Sequence, residues 1–571
     1  MQVIENIKQK LQDTFEKLGY PVEYLTLSFS DRPELCDFQS NSAFALAKVL
    51  RNAPIKIAES IANELRNNYL KVEVCNPGFI NISLTEDYLS EILKEYAGSE
   101  KLLVKAHEKP KTIVVDYGGP NVAKPLHVGH LRSAILGETV KRIAKFMGDK
   151  VISDVHLGDW GLQMGLTIAG LEEEFDLSYY FNNQGEKPNI SMDDLNRIYP
   201  AASARSKIDE DFKKYAQNIT AKLQNKDKIY YAIWKDIRGI SVDAIKAEYK
   251  KLNVSFDLFN GESDSQDYVP KVFEILNEKH LIEKSEGAEI VNVVREDDNA
   301  PIPPVIVRSS AGAGLYATTD LATIIERVED YDPDEIWYTT DNRQCMHFNQ
   351  VFRVCKLAGI GGEKLKLVHF PFGTVNGTDG KPFKTRSGGT MHLSELIQLV
   401  TDASDKKLVE NTGKSDKKLA EMIGVSALKF GDMINFRTKD YVLDIDKFCS
   451  FDGKTGPYLL YSLVRINSIL QKAGKFEQKF AVNDEISKNI LLCLMKLSVE
   501  IENGYEDKSA SGICQAAYNL ASSFSTLYSN EKILSQTDIE RKNELLTLIM
   551  VIQKALTVVC DLLALDIPEK M

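Results

Sequence analysis

His127 and His130 stand three apart in the stretch PNVAKPLHVGHLRS, with Gly129 between them. Two imidazoles at that spacing supply donors to one anionic group. At a helix start they would be joined by free backbone N–H groups and the positive end of the helix dipole, a combination that attracts phosphate. Gly129 has no side chain, so a nucleotide ring can approach the backbone there. Taken alone, a His-x-x-His pair is equally a pair of satisfied helix-end residues, one that eight histidines produce readily by chance.

Other groups could do chemistry further along. Glu262, in SFDLFNGES, follows a glycine at what reads as a strand end, where a surface turn explains it as well as a ligand does. Tyr316 and Asp320 lie four apart at the start of a helix predicted over 321–328, so one ligand can touch both, although Asp320 is equally an N-cap. Gln344 and His347, three apart at the start of another helix, face one side. Lys384, Thr385, Arg386 and Ser387 form a basic loop ahead of two glycines, and a lone basic loop is ordinarily solvated surface. The eight cysteines are scattered without a Cys-x-x-Cys pair, so they read as reduced core thiols, and no protein metal site is identified.

The elements that must position these residues alternate between strand and helix. The β-branched run 112–117 predicts a buried parallel strand, and Gly118, Gly119 and Pro120 turn the chain sharply. From His130 onward, Leu131, Ala134, Ile135, Ile143, Ala144 and Met147 keep helical spacing until Gly148 ends the pattern. A second strand over 150–155 leads into HLGDWGLQMG, whose glycines permit close approach of a ligand at the carboxyl end of the sheet. A charged helical insertion follows at about 169–251, its 171–189 part the least ordered. Strands are then expected at 305–308, 335–340 and 366–370. The predicted fold is an α/β, Rossmann-like parallel-sheet nucleotide-binding core (109–395). An α+β domain (1–108) precedes it; a connecting helical segment (396–435) and an all-α bundle (436–571) follow.

With 571 residues, 43% hydrophobic and 27% charged, the composition is that of a soluble multidomain protein. A net charge of −12 argues mildly against nucleic-acid binding as a bulk surface property, but a local basic face suffices for phosphate contacts. With Glu5, Lys8, Lys10, Asp13 and Glu16 close to the start, no signal peptide is expected there. The apolar run 545–565 is broken by Gln553, Lys554 and Asp561 and reads as a bundle helix, not a membrane span. A cytoplasmic location and no membrane partner are expected.

PNVAKPLHVGHLRS resembles the HIGH motif of class I aminoacyl-tRNA synthetases in the form used by arginyl-tRNA synthetases, and the resemblance extends from NPGFINISL through TGPYLLYSLVRINSIL to IPEKM. It implies an arginine–tRNA ligase that uses ATP with Mg²⁺ as a substrate complex and holds no permanent cofactor. Its partners would be L-arginine, ATP and tRNA(Arg), and a monomer is the expected state. Gly119, Pro120, Asn121, His130, Glu262, Tyr316, Asp320 and Gln344 would bind arginine. A guanidinium is a planar cation, and a carboxylate with an aromatic face suits it. His127, Gly129, His130, His347 and the 384–387 loop would bind ATP. That loop looks like the KMSKS loop, but Arg386 stands where its second lysine belongs. Lys124, upstream of the histidines, would then share the catalytic charge with Lys384 and Arg386. The first domain would contact the tRNA elbow and the bundle the anticodon. Two alternatives are a class I synthetase of another specificity, which Tyr316, Asp320 and Gln344 disfavour, and a non-catalytic RNA-binding relative, which intact His127, Gly129 and His130 disfavour.

Overall fold

The computed structural model describes residues 2–182, 184–309, 316–377, 379–381, 383 and 391–571. The chain divides into two compact units, one of His107–Cys449 with Leu563–Asp566 and the other of Met1–Ala106, Ser450–Leu562 and Ile567–Met571.

The first of these is built on a four-stranded parallel sheet in the order Lys366–His369, Glu335–Tyr338, Thr112–Asp116, Lys150–Asp154. Ile113, Val114, Val115, Ile336 and Trp337 are fully buried, as expected of strands covered on both faces. Val115 faces Trp337 on one side and Ser153 on the other. From Thr112–Asp116 the sheet grows one way through Lys150–Asp154 and later the other way through Glu335–Tyr338, so the order reverses between Thr112–Asp116 and Glu335–Tyr338. In sheets of this kind the ligand crevice lies outside the carboxyl ends at that reversal. Residues 117–121 and 339–344 are therefore its rims.

Between the halves stand the helices Leu162–Glu174, Ser178–Asn182, Met192–Arg205, Glu210–Gln224 and Lys228–Lys251, so the charged insertion is helical from Leu162 and keeps helices within the part expected to be least ordered. The strand Val305–Arg308 is not part of the parallel sheet. It pairs antiparallel with Ala288–Val291, which pairs with Ile282–Ser285. The alternation explains this: Val305 and Val307 are buried while Ile306 is 46% exposed, the pattern of a sheet with one wet face. Lys429 is fully buried and donates to the carbonyls of Leu252 (2.7 Å) and Ala564 (2.5 Å), each just beyond the C-terminal end of a helix, where the helix dipole favours a cation.

In the other unit, helices Gln2–Leu18, Ser42–Leu50, Pro54–Leu65 and Glu86–Gly98 pack with an antiparallel sheet in the order Ser28–Phe29, Phe38–Ser40, Phe79–Leu84, Leu70–Cys75. The same unit contains the helices Gly456–Ala473, Glu485–Asp507, Ser511–Asn530 and Ile539–Leu562. Buried Asp37 pairs with Lys488 at 2.9 Å, and the hydroxyls of Tyr96 and Ser498 meet at 2.7 Å. The residues on either side of the parallel-sheet unit thus share one core, a finding the linear domain division does not convey. Helix Ile539–Leu562 is long and apolar enough to cross a membrane, yet 67% of its apolar window is buried inside the protein, as in a core helix.

Candidate active site

The loop after Thr112–Asp116 is held from behind. Gly118 adopts φ 83°, donates its N–H to Ser133 Oγ (2.8 Å) and accepts from the Tyr249 hydroxyl (2.7 Å). A Cβ there would sit 3.0 Å from both Tyr249 and Phe256. Gly119, Pro120 and Asn121 then run along residues 156–158, with Val122 N–H on the Gly158 carbonyl (3.0 Å) and Gly158 N–H on that of Pro120 (3.1 Å). This exposes Gly119 and Asn121 at the rim of the crevice.

His127 is the N-cap of helix Val128–Met147. Its Nδ1 accepts the Gly129 N–H at 3.0 Å, while its own N–H is donated to His130 Nδ1 at 3.1 Å, and the two rings lie 4.0 Å apart. Both Nδ1 atoms are acceptors, so each neutral ring carries its proton on Nε2. Burial lowers the His130 pKa to about 3, with His127 and Lys124 adding repulsion, and burial, His392 and Lys124 lower His127 as well. At neutral pH the pair offers neutral N–H donors. Gly129 has a second reason to lack a side chain, because a Cβ would lie 2.8 Å from His127 Cε1. Lys124 rests its ammonium over the Tyr199 ring, 4.6 Å from the centroid.

His127 and Gly129 line a cavity of about 240 Å³ with Arg132, Asp341, Thr374 and Phe383. Lys384, Thr385, Arg386 and Ser387 lie outside the described residues, but both flanks are fixed beside this cavity. Phe383 N–H bonds the Val375 carbonyl (3.0 Å); on the far side Val128 N–H bonds Met391 and Leu393 N–H bonds Leu126. Arg132, buried one turn after His127, clamps the entering segment by donating to the carbonyls of Gly373 (2.7 Å) and Lys439 (3.1 Å), with Asp432 at 3.0 Å from its Nε.

A second cluster is acidic. Arg327 is 3% exposed and bonds Asp116 (2.7 Å) and Asp154 (2.8 Å) at the ends of two strands. Burial and neighbouring Asp154 push the Asp116 carboxyl up against the pull of Arg327 and His156; Asp154 is penalised by burial too, but Arg327 and His156 prevail and hold it low. Glu262 opens a short helix, Glu262–Ser265, and its pKa is raised by burial, with Asp159 and Asp320 adding to the effect and His156 opposing it. Helix Tyr316–Tyr331 begins earlier than the pattern suggests, so Asp320 lies inside it and is not an N-cap. Its carboxylate meets His347 Nε2 at 2.5 Å, and the Tyr316 ring stacks on that imidazole at 4.5 Å. Gln344 is half-buried at the N-cap of helix Cys345–Ala358, one turn before His347.

The structure therefore groups Lys124, His127, Gly129 and His130 at one helix start, and Glu262, Tyr316, Asp320 and His347 at the acidic cluster. His347 was expected beside the nucleotide; its contacts here are with Tyr316 and Asp320. Sequence reasoning passed over Arg132, His156 and Arg327. Arg327 had a readable signal, since it follows Asp320 by seven residues on one helix and so shares its face. Arg132 had none, because its partners lie more than 240 residues away in sequence.

The sequence model for the catalytic domain of class I tRNA synthetases (R) matches residues 52–445, that for the arginyl tRNA synthetase N-terminal domain residues 1–84, and that for the DALR anticodon binding domain residues 459–571. The chain is 45% identical over 585 residues to an arginine–tRNA ligase of Alkaliphilus oremlandii and 43% identical over 595 residues to one of Agathobacter rectalis, each covering 100% of both chains. Its fold is similar to those of arginyl-tRNA synthetases from Plasmodium falciparum (TM-score 0.83, 23% identity, 100% and 99% of the chains covered) and Thermus thermophilus (TM-score 0.81, 20% identity, 99% and 100% covered). The chain belongs to the arginyl-tRNA synthetase family of class I synthetases.

Proposed function

We propose that the chain is an arginine–tRNA ligase. It activates L-arginine with Mg²⁺-ATP and transfers the arginyl group to the 3′ end of tRNA(Arg). The observation that carries this reading is an acidic, aromatic-edged cluster, Glu262, Asp320 and Tyr316, in the same crevice fold as a pair of neutral imidazoles at a helix N-terminus. Arg327 is taken up by Asp116 and Asp154, and the neighbouring carboxylates Glu262 and Asp320 repel one another, so the cluster favours a cationic side chain.

In the first step a carboxylate oxygen of arginine attacks the α-phosphorus of ATP in line, and pyrophosphate leaves. The Nε2–H groups of His127 and His130 donate to the phosphate oxygens as charge builds on them. The helix start contributes its dipole, and Lys124, Lys384 and Arg386 would supply positive charge to the leaving pyrophosphate. Neutral imidazoles suit this role because they stabilise the transition state without binding ground-state polyphosphate as tightly as cations would. In the second step a terminal ribose hydroxyl of tRNA attacks the arginyl carbonyl carbon, and AMP leaves. Gly119, Pro120, Asn121 and Gln344 would bind arginine, and Gly129, Thr385 and Ser387 would bind the nucleotide. Residues 1–108 would meet the tRNA elbow and the helical bundle the anticodon, in a cytoplasmic monomer that needs no membrane.

ATP–pyrophosphate exchange, measured for each amino acid with and without tRNA, tests the reading. Exchange with arginine in the presence of tRNA is expected. Exchange with a different amino acid, or none at all with arginine, would overturn it.

A further inference from the structure

Asp320 is a half-finished binding group. Its side chain is 14% exposed and, among the described residues, its ion-pair partner is His347, itself 22% exposed, with Nε2 2.5 Å from Oδ2. The imidazole has Tyr316 stacked on one face at 4.5 Å and meets Phe348 in a T-shaped contact at 5.4 Å. Phe348 in turn stacks on His369 at 4.6 Å, and His369 Nε2 lies 2.8 Å from Thr340 Oγ1. A packed aromatic column therefore runs from the rim at Thr340 to the carboxylate of Asp320. Such a column fixes where the His347 donor points.

We infer that His347 is a positioning and specificity residue of the amino-acid pocket, setting the plane of the Asp320 carboxylate and supporting the face of Tyr316, and that it is not a nucleotide ligand. This rests on the arginine reading above. A carboxylate binds a guanidinium best when its plane is fixed, because paired N–H donors need both oxygens in register. With Oδ2 held by Nε2–H, Oδ1 and the outer lone pair of Oδ2 remain for the substrate. The hydrogen bond from Nε2–H orients the carboxylate plane, whereas a lysine at this position would place a fixed positive charge where the substrate guanidinium must bind.

The test uses the full-length chain with saturating tRNA, titrating arginine and ATP separately. His347→Phe keeps the aromatic shelf and removes the donor; His347→Gln keeps a donor near Nε2 and removes the shelf. For His347→Phe the arginine KM should rise about 10–100-fold, the worth of one hydrogen bond to a charged group, while kcat and the ATP KM stay within about threefold. His347→Gln should recover part of that loss, which a merely structural role would not allow. His347→Lys should raise the arginine KM beyond either variant. If His347→Phe does not fold, the same comparison between His347→Gln and His347→Lys decides, since only a positioning role separates them in arginine KM. An unchanged arginine KM, or a rise in ATP KM instead, would overturn the inference while arginine charging by the wild type stands. Failure of the wild type to use arginine would overturn both.

Discussion

Replacing Asp320 by asparagine removes one charge and almost no volume. The side chain is 14% exposed, so its pairing with a bound guanidinium is little screened by water. Breaking one side of such a buried pair costs about 3–5 kcal/mol. Two features place the expected loss at the lower end. The amide that replaces the carboxylate still offers an oxygen to His347, and Glu262, whose charge acts on the same cluster, remains. A loss of about 3 kcal/mol is roughly 150-fold in arginine affinity. The ATP KM should stay within about threefold, because Asp320 is not among the residues lining the cavity beside His127. Arginine titration of tRNA-dependent exchange gives KM, and calorimetric binding of arginine checks that KM reports affinity. An arginine affinity within about threefold of wild type, a difference below roughly 0.7 kcal/mol, would refute the assignment of Asp320 to the substrate.

Further outcomes follow from the same geometry. Lys124→Ala should slow arginyl-adenylate formation by about 10²–10³ with the arginine KM little changed, as read by rapid quench with tRNA present; a rate within about threefold would return the role to Lys384 or Arg386. The cost of lifting Lys124 off Tyr199 is only about 0.5–1 kcal/mol, so the observed stacking is no obstacle to its reaching phosphate. Gly129→Ala should displace the His127 ring, which a Cβ would approach at 2.8 Å, and lower exchange activity without a matching fall in Tm. Lys429, its pKa pushed down by burial to about 7 from an ordinary 10.5, binds fewer protons folded than unfolded between those values. Its contribution therefore makes stability rise as pH rises from 7 towards 10.5, and Lys429→Met should flatten that slope in urea titrations at a series of pH values.

Local pattern sufficed for much of the fold. The strand 112–117 and the helix closed by Gly148 were legible because β-branched runs, helical spacing and glycine caps act over a few residues. The helix N-terminus holding His127 and His130 was legible for the same reason. Long-range pairing was not. Nothing local to Val305–Arg308 says that Ala288–Val291 is its neighbour, and nothing near Asp37 announces Lys488. In the site, Tyr316 and Asp320 were found through their i,i+4 spacing, yet the helix start was misplaced by the glycine-rich stretch before it. His347 was singled out in the sequence without its contacts to Tyr316 and Asp320, because its aromatic neighbours come from separated segments.

The central claim is that this crevice selects arginine and attaches it to tRNA. Aminoacylation of total tRNA by the purified full-length chain, run in parallel with each of the standard labelled amino acids at equal concentration, measures it directly. The account predicts incorporation with arginine alone, abolished by omitting ATP. Stable charging with another amino acid, or arginine-dependent ATP turnover that never yields charged tRNA, would contradict it.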